Sequence, residues 1–140
     1  MAYNLMARYY RLPDGTEPVD AFIGTLNMEV QLAIDRQIDR INSLDDACPH
    51  LPYPYSSQIE GEMRELRCHY GNNHYRILYR RSGQFVVLLH IFSKRYGPVP
   101  ESDKEIARER WADFKKRLDG GTRKPPSPIG GKAPPKKRSS

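Results

Sequence analysis

Between Met63 and Arg95 the chain reads MRELRCHYGNNHYRILYRRSGQFVVLLHIFSKR, three runs of strand-forming residues punctuated by two turns. No other stretch limits the fold as tightly, because successive hairpins fix neighbouring strands in antiparallel order. Met63 to Tyr70 alternates residue types at period two. Gly71-Asn72-Asn73 then supplies the small residues, tolerant of left-handed backbone, that a tight hairpin requires. His74 to Arg81 is β-branched and aromatic, and Ser82-Gly83-Gln84 makes the next turn. Phe85 to Ser93 is almost wholly apolar, the composition of a strand covered on both faces.

Side chains on a strand alternate between faces. His90, Phe92 and Lys94 therefore share one face of the third run, Arg76 and Arg80 one face of the second, and Arg67 and His69 one face of the first. If those faces coincide, one sheet surface carries Arg67, Arg76, His90 and Lys94, with Arg95 at its rim and Phe92 and Tyr96 among them. Cations interleaved with aromatics grip phosphates and stack unpaired bases. The competing reading is the solvated outer face of an antiparallel sheet, where charged side chains are ordinary.

The charge is unevenly divided along the 140 residues. Residues 1–60 hold four basic and nine acidic groups, a balance of −5, whereas residues 61–140 hold nineteen basic and eight acidic, a balance of +11. The basic half contains the meander. A field of that sign attracts polyanions, nucleic acid above all, and equally suits an acidic protein partner. Cys48 and Cys68 stand at no spacing diagnostic of a disulfide framework or a zinc site. His50, His69, His74 and His90 include no helix-spaced pair; His69 and His74 meet only across the hairpin and lack a third ligand. No metal and no cofactor is expected. No signal peptide and no apolar run of membrane-spanning length is evident, so the expected location is cytoplasmic, with no membrane partner.

The remaining elements frame the meander. Tyr3 to Leu12 reads as an opening strand, broken by Pro13-Asp14-Gly15. Pro18 signals a helix start, and a short helix is expected over Val19 to Thr25. Leu26, Val30, Ile34, Ile38, Ile41 and Leu44 then recur at helical spacing, an amphipathic helix suited to covering one face of the sheet. Burying that stripe gives on the order of 10 kcal/mol before entropy is subtracted. Asp45 to Glu62, with prolines at 49, 52 and 54, reads as a long loop whose Tyr53 and Tyr55 either contact a ligand or, the favoured reading, pin it to the domain. Beyond Gly97-Pro98-Val99-Pro100, Ser102 and Glu105 fit a capping box, and a helix with an Ile106, Ala107, Trp111, Phe114 and Leu118 stripe runs to about Leu118. One domain over 1–120 and a disordered basic tail over 121–140 are expected, the tail being dense in Pro, Gly, Lys and Arg.

Glu65-Leu66-Arg67, Tyr75-Arg76-Ile77-Leu78-Tyr79, His90-x-Phe92-x-Lys94-Arg95 and Glu105-Ile106-Ala107 occur here in the order and spacing of a known pattern. Over about residues 1–118 the chain resembles the phage-derived Gp49-like, HigB-type branch of the RelE/ParE toxin superfamily. Arg95 stands where that pattern often has a second lysine, and the family does not require the proline-rich tail. The resemblance implies an α+β fold, with a small antiparallel-rich sheet of about four strands covered on one face by two N-terminal helices, plus a C-terminal helix. It implies a toxin of a type II toxin–antitoxin system that cleaves mRNA on the ribosome without a metal. Its partner would be a cognate helix-turn-helix antitoxin. The catalytic set so implied is Arg67, Arg76, His90, Lys94 and Arg95, with Arg64, His69, Arg80, Phe92 and Tyr96 binding RNA. Arg67 and Arg76 would clamp the phosphate, Lys94 and Arg95 would neutralise developing charge, and His90 would move the proton, with His69 or Tyr96 as the other candidate. Two alternatives from outside nuclease chemistry stay open: a ParE-like toxin that binds DNA gyrase, and a catalytically inert antitoxin-binding relative.

Overall fold

The computed structural model describes residues 3–119; the basic tail expected over 121–140 lies outside them. The chain runs β1 (Met6–Tyr9), α1 (Pro18–Gly24), α2 (Met28–Ile41), β2 (Ser56–Glu60), β3 (Met63–Tyr70), β4 (Asn73–Ser82), β5 (Phe85–Ser93) and α3 (Glu101–Asp119). The fold is α+β, as expected, with the strands in one mixed sheet of order β1-β5-β4-β3-β2. The expectation of about four strands is corrected to five, because Ser56–Glu60, read from sequence as loop, pairs antiparallel with β3. Three prolines just upstream hide that strand from a pattern reading, yet none lies inside it.

All three hairpins use the same device. Gly61, Gly71 and Gly83 each occupy the first position of a two-residue turn, with positive φ of 52°, 60° and 61°. Glycine adopts that backbone without steric cost, so each turn has the Gly-first pattern of a type II′ hairpin. Asn72, which tolerates left-handed backbone, is not needed in it here, since no non-glycine residue among the described ones has positive φ.

β5 lies between its parallel partner β1 and its antiparallel partner β4, which explains its unbroken apolar run. Val86, Leu88 and Ile91 face one cluster with α1 and α2, built on Ile23, Val30, Ile34 and Ile38. Val87, Leu89 and Phe92 face the other, built on Ala107, Phe114 and Val99 with Trp111. A bulge opposite Leu78/Tyr79 shifts this alternation by one residue midway along β5. α2 is capped by Asn27, whose side chain accepts from the Val30 N–H at 3.0 Å. α3 begins at Glu101, directly after Pro100, so Ser102 lies inside the first turn and the expected capping box does not form. Instead the Pro100 carbonyl accepts from the amides of Asp103 and Lys104, at 3.1 and 3.2 Å.

The position of α3 is the fact that shapes the site. It packs on the second sheet face, opposite α1 and α2, and covers its β5 side. Arg110 Nη1 donates to the Leu89 carbonyl at 2.8 Å and fixes the helix to that strand. The β3–β4 hairpin end of the same face stays open.

Candidate functional site

At that open end the register places Arg67 opposite Arg76, His69 opposite His74, and Arg76 opposite Phe92. The faces of the three strands therefore coincide as the alternation requires. After β5 the chain turns back across the hairpin, where the Lys94 amide donates to the His74 carbonyl at 3.2 Å. Arg76, only 3% exposed, runs beneath this segment. Its Nη1 donates to the Gly97 carbonyl at 2.7 Å and its Nη2 to the Arg95 carbonyl at 3.4 Å. One buried guanidinium thus holds the backbone that presents Lys94, Arg95 and Tyr96. Between that segment and the hairpin lies a cavity of about 300 Å³ lined by Arg67, His69, His74, Arg76, Lys94, Arg95 and Tyr96.

Charge in this cavity is only partly balanced. The buried Glu65 carboxylate accepts from Arg67 Nε at 2.9 Å and faces Arg76 Nε at 3.7 Å. Burial works against the charge on Arg67, but the hydrogen bonds and charges of Glu65 and Tyr53 together outweigh it and hold that guanidinium above its ordinary pKa. Among the described residues no carboxylate pairs with Lys94 or Arg95. Two tyrosines, each 73% exposed, flank the opening. The Tyr53 ring lies 5.4 Å from the Arg67 guanidinium and the Tyr96 ring 5.1 Å from that of Arg95. Aromatic faces held this way at a cationic rim are stacking platforms for unpaired bases. Tyr55 does pin the loop, its ring packing against Arg40 of α2 at 4.4 Å. Cys68 also lines the cavity, but burial, with the Asp35 charge, pushes its thiol up to about 12, so it is no nucleophile near neutral pH.

His69 and His74 stack across the hairpin, ring centroids 5.5 Å apart and planes 13° from parallel. Desolvation, then the Arg95, His69 and Arg76 charges, lowers the His74 pKa, which favours a neutral imidazole able to accept a proton. His90 sits elsewhere. Its Nε2 lies 2.7 Å from Asp103 Oδ1 of α3 and its ring stacks on Phe92 at 5.7 Å. Burial lowers the His90 pKa despite that carboxylate. Burial followed by the Arg64 and Arg81 charges does the same to His50. For all three groups the folded state binds protons more weakly than the unfolded chain. Their contribution to stability is therefore complete above the unfolded histidine pKa of about 6.5 and is lost as pH falls through the lowered folded values. Thermal melts are expected to show a lower Tm at pH 5 than at pH 7; an unchanged or higher Tm at pH 5 would contradict these shifts.

The structure brings together Arg67, Arg76, Lys94 and Arg95 of the expected catalytic set, with His69 and Tyr96 of the expected RNA-binding set. It does not bring in the others. His90 and Phe92 are covered by α3, and Arg80 packs its guanidinium 4.6 Å from the Trp111 ring. Arg64 projects from the opposite sheet face, where its Nε donates to Ser56 Oγ at 3.2 Å. Alternation alone cannot tell which part of a face a later helix covers. Glu65, His74 and Tyr53 were not among the expected site residues. Glu65 is the one with a sequence signal, a carboxylate flanked by alternating apolar and basic residues on an inner strand.

Among the described residues no helix is long and apolar enough to cross a membrane. No group of three or more His, Cys, Asp or Glu among them is placed to hold a metal ion. The family model described as "Phage derived protein Gp49-like" matches residues 21–112. Two curated relatives, both named "Probable endoribonuclease HigB1", come from Mycobacterium tuberculosis strains CDC 1551 / Oshkosh and ATCC 25618 / H37Rv. Each is 40% identical over 58 residues, a stretch covering 41% of this chain and 46% of the relative. The match thus spans about half the length of the curated relatives.

Proposed function

The chain belongs to the phage-derived Gp49-like family, and from that premise we propose that it is the toxin of a type II toxin–antitoxin system, an endoribonuclease that cuts mRNA on the ribosome. The observation that carries this reading is the cavity at the β3–β4 hairpin, where Lys94 and Arg95 stand, without carboxylate partners among the described residues, beside two exposed tyrosines. The name of the two relatives supports the same chemistry.

The reaction suited to such a cavity is transesterification within the RNA. The ribose 2′-oxygen loses its proton and bonds to the adjacent phosphorus, while the bond from phosphorus to the 5′-oxygen breaks and that oxygen takes up a proton. The products are a 2′,3′-cyclic phosphate and a 5′-hydroxyl. Lys94 and Arg95 face the non-bridging oxygens and stabilise the charge gathered on them in the transition state, and Arg67 orients the phosphate. His74 accepts the 2′ proton, and its stacked neighbour His69 supplies the proton to the leaving oxygen. Arg76 acts at one remove, as a positioning residue for the segment that carries Lys94 and Arg95. Tyr53 and Tyr96 stack the flanking bases. The antitoxin, a helix-turn-helix protein with an acidic or amphipathic segment, masks this cavity by placing carboxylates on its unpaired cations. The site of action is the cytoplasm, where ribosomes are.

The test is to incubate the purified chain with translating ribosomes and, separately, with naked mRNA, and to determine the ends of the fragments. Cuts confined to ribosome-bound mRNA, with 5′-hydroxyl ends that a polynucleotide kinase labels directly, are expected. Fragments with 5′-phosphate ends would overturn the transesterification, and intact mRNA in both reactions would overturn the nuclease itself. His90→Gln is expected to keep the cutting pattern while costing about 1–3 kcal/mol of stability through the lost contact to Asp103. Loss of cutting at unchanged Tm would return His90 to the reaction.

A further inference from the structure

A second cavity, of about 460 Å³, lies on the other face of the sheet, at the end of β3 away from the first. The turn after β2, the end of β4 and the loop at His50 enclose it. Two guanidiniums and an imidazole from three separate segments line it: Arg64, Arg81 and His50. Arg64 is anchored through Nε to Ser56 Oγ at 3.2 Å, and Ser56 Oγ is itself bonded to the Tyr79 hydroxyl at 2.8 Å. Arg81 Nη2 donates to the Gly83 carbonyl at 3.2 Å, while its Nε is buried without a partner. Glu62 is the acid in this lining, and its carboxylate lies 3.4 Å from Arg80, leaving no carboxylate paired with Arg64 or Arg81 among the described residues.

We propose that this cavity is a binding site for a phosphoanion, held by Arg64, Arg81 and His50. The His50, Arg64 and Arg81 side chains converge on one volume, where the Arg64 and Arg81 charges repel one another and any proton on His50. That mutual repulsion contributes, after burial, to the lowered His50 pKa. A group with negative charge and several acceptor oxygens removes the repulsion. A carboxylate engages one guanidinium fork, whereas a phosphate offers acceptors to two forks and an imidazole together. The volume lies within the range of small-molecule sites and admits a nucleoside monophosphate, not only a bare ion. The same chemistry comes from two sources, a phosphodiester of an RNA strand or a free phosphate or nucleotide. The site lies apart from Lys94 and Arg95 and does not rest on the nuclease reading.

The experiment uses the full chain, with the His50 ring resonances followed by NMR and affinity measured by calorimetry. The probes are inorganic phosphate, adenosine 5′-monophosphate and a deoxyribonucleotide hexamer, which lacks the 2′-hydroxyl needed for cleavage. Saturable binding that moves the His50 resonances is expected, weakened roughly tenfold or more in both Arg64→Gln and Arg81→Gln. The same signal is expected unchanged in Lys94→Ala. Tighter binding of the hexamer than of the mononucleotide assigns the site to strand phosphates; equal or weaker binding of the hexamer assigns it to free phosphates. Should Arg64→Gln melt early, Arg81→Gln, on an edge of the cavity, gives the same readout. Silence of the His50 resonances with every probe would overturn the proposal. So would equal affinity in a folded variant, or tighter binding of a polyglutamate peptide than of phosphate.

Discussion

Replacing Arg76 with alanine is expected to destabilise the chain by about 3 kcal/mol and to abolish RNA cleavage, the largest combined effect of any single site substitution. The stability loss follows from burial. With Arg76 gone, Glu65 keeps one cationic partner instead of two, and the carbonyls of Gly97 and Arg95 lose their donor. Removing one member of a buried ionic group leaves the others desolvated without compensation, which costs more than the group contributes when intact. In a domain of this size that corresponds to a fall in Tm of roughly 10 °C. The catalytic loss follows from geometry, because the freed segment no longer holds Lys94 and Arg95 over the hairpin. Arg76→Lys separates the two effects of charge and shape. A lysine keeps one positive charge but cannot reach two carbonyls with a planar fork. It is expected to recover part of the stability and little of the activity. Full activity in Arg76→Lys would show that charge alone suffices there.

The second large effect is expected at Lys94. Lys94→Ala should reduce cleavage by roughly 100- to 1000-fold, the range seen when a donor to a developing anion is removed. Its Tm should stay within about 2 °C of the parent, because a partly exposed lysine with no carboxylate partner among the described residues contributes little to folding. This pairing of outcomes distinguishes Lys94 from Arg76, whose loss should register in both measurements. A Lys94→Ala chain that cuts at the parental rate would remove the lysine from the transition state and leave Arg95 and Arg67 to carry the charge.

Much of this fold was legible in the sequence, for identifiable reasons. The meander could be read because Gly71 and Gly83 interrupt runs of strand-forming residues at hairpin spacing. The long amphipathic helix could be read because Val30, Ile34, Ile38 and Ile41 keep helical spacing, and all four are buried in the core beneath it. The coincidence of Arg67 and Arg76 on one face needed only alternation. Ser56–Glu60 escaped because SSQIE has little strand character of its own and forms an edge by pairing with β3. His90, Phe92 and Arg80 were placed on the right face, but on the part of it that α3 covers, and the path of α3 across that face depends on long-range packing. Arg64 looked like its neighbour Arg67, yet being three positions away on a strand puts the two on opposite faces.

The most direct measurement is primer extension on cellular mRNA after brief induction of the parent chain, Lys94→Ala and Arg76→Ala in a bacterial host. Discrete new 5′ ends within translated frames are expected from the parent. They should disappear in Lys94→Ala although that variant accumulates and melts like the parent, and disappear in Arg76→Ala together with a lowered Tm. Growth arrest with intact mRNA would contradict the nuclease reading and turn attention to a non-nucleolytic target such as DNA gyrase. Cuts that persist in folded Lys94→Ala and Arg76→Ala would show that the cavity at the β3–β4 hairpin is not where the RNA is broken.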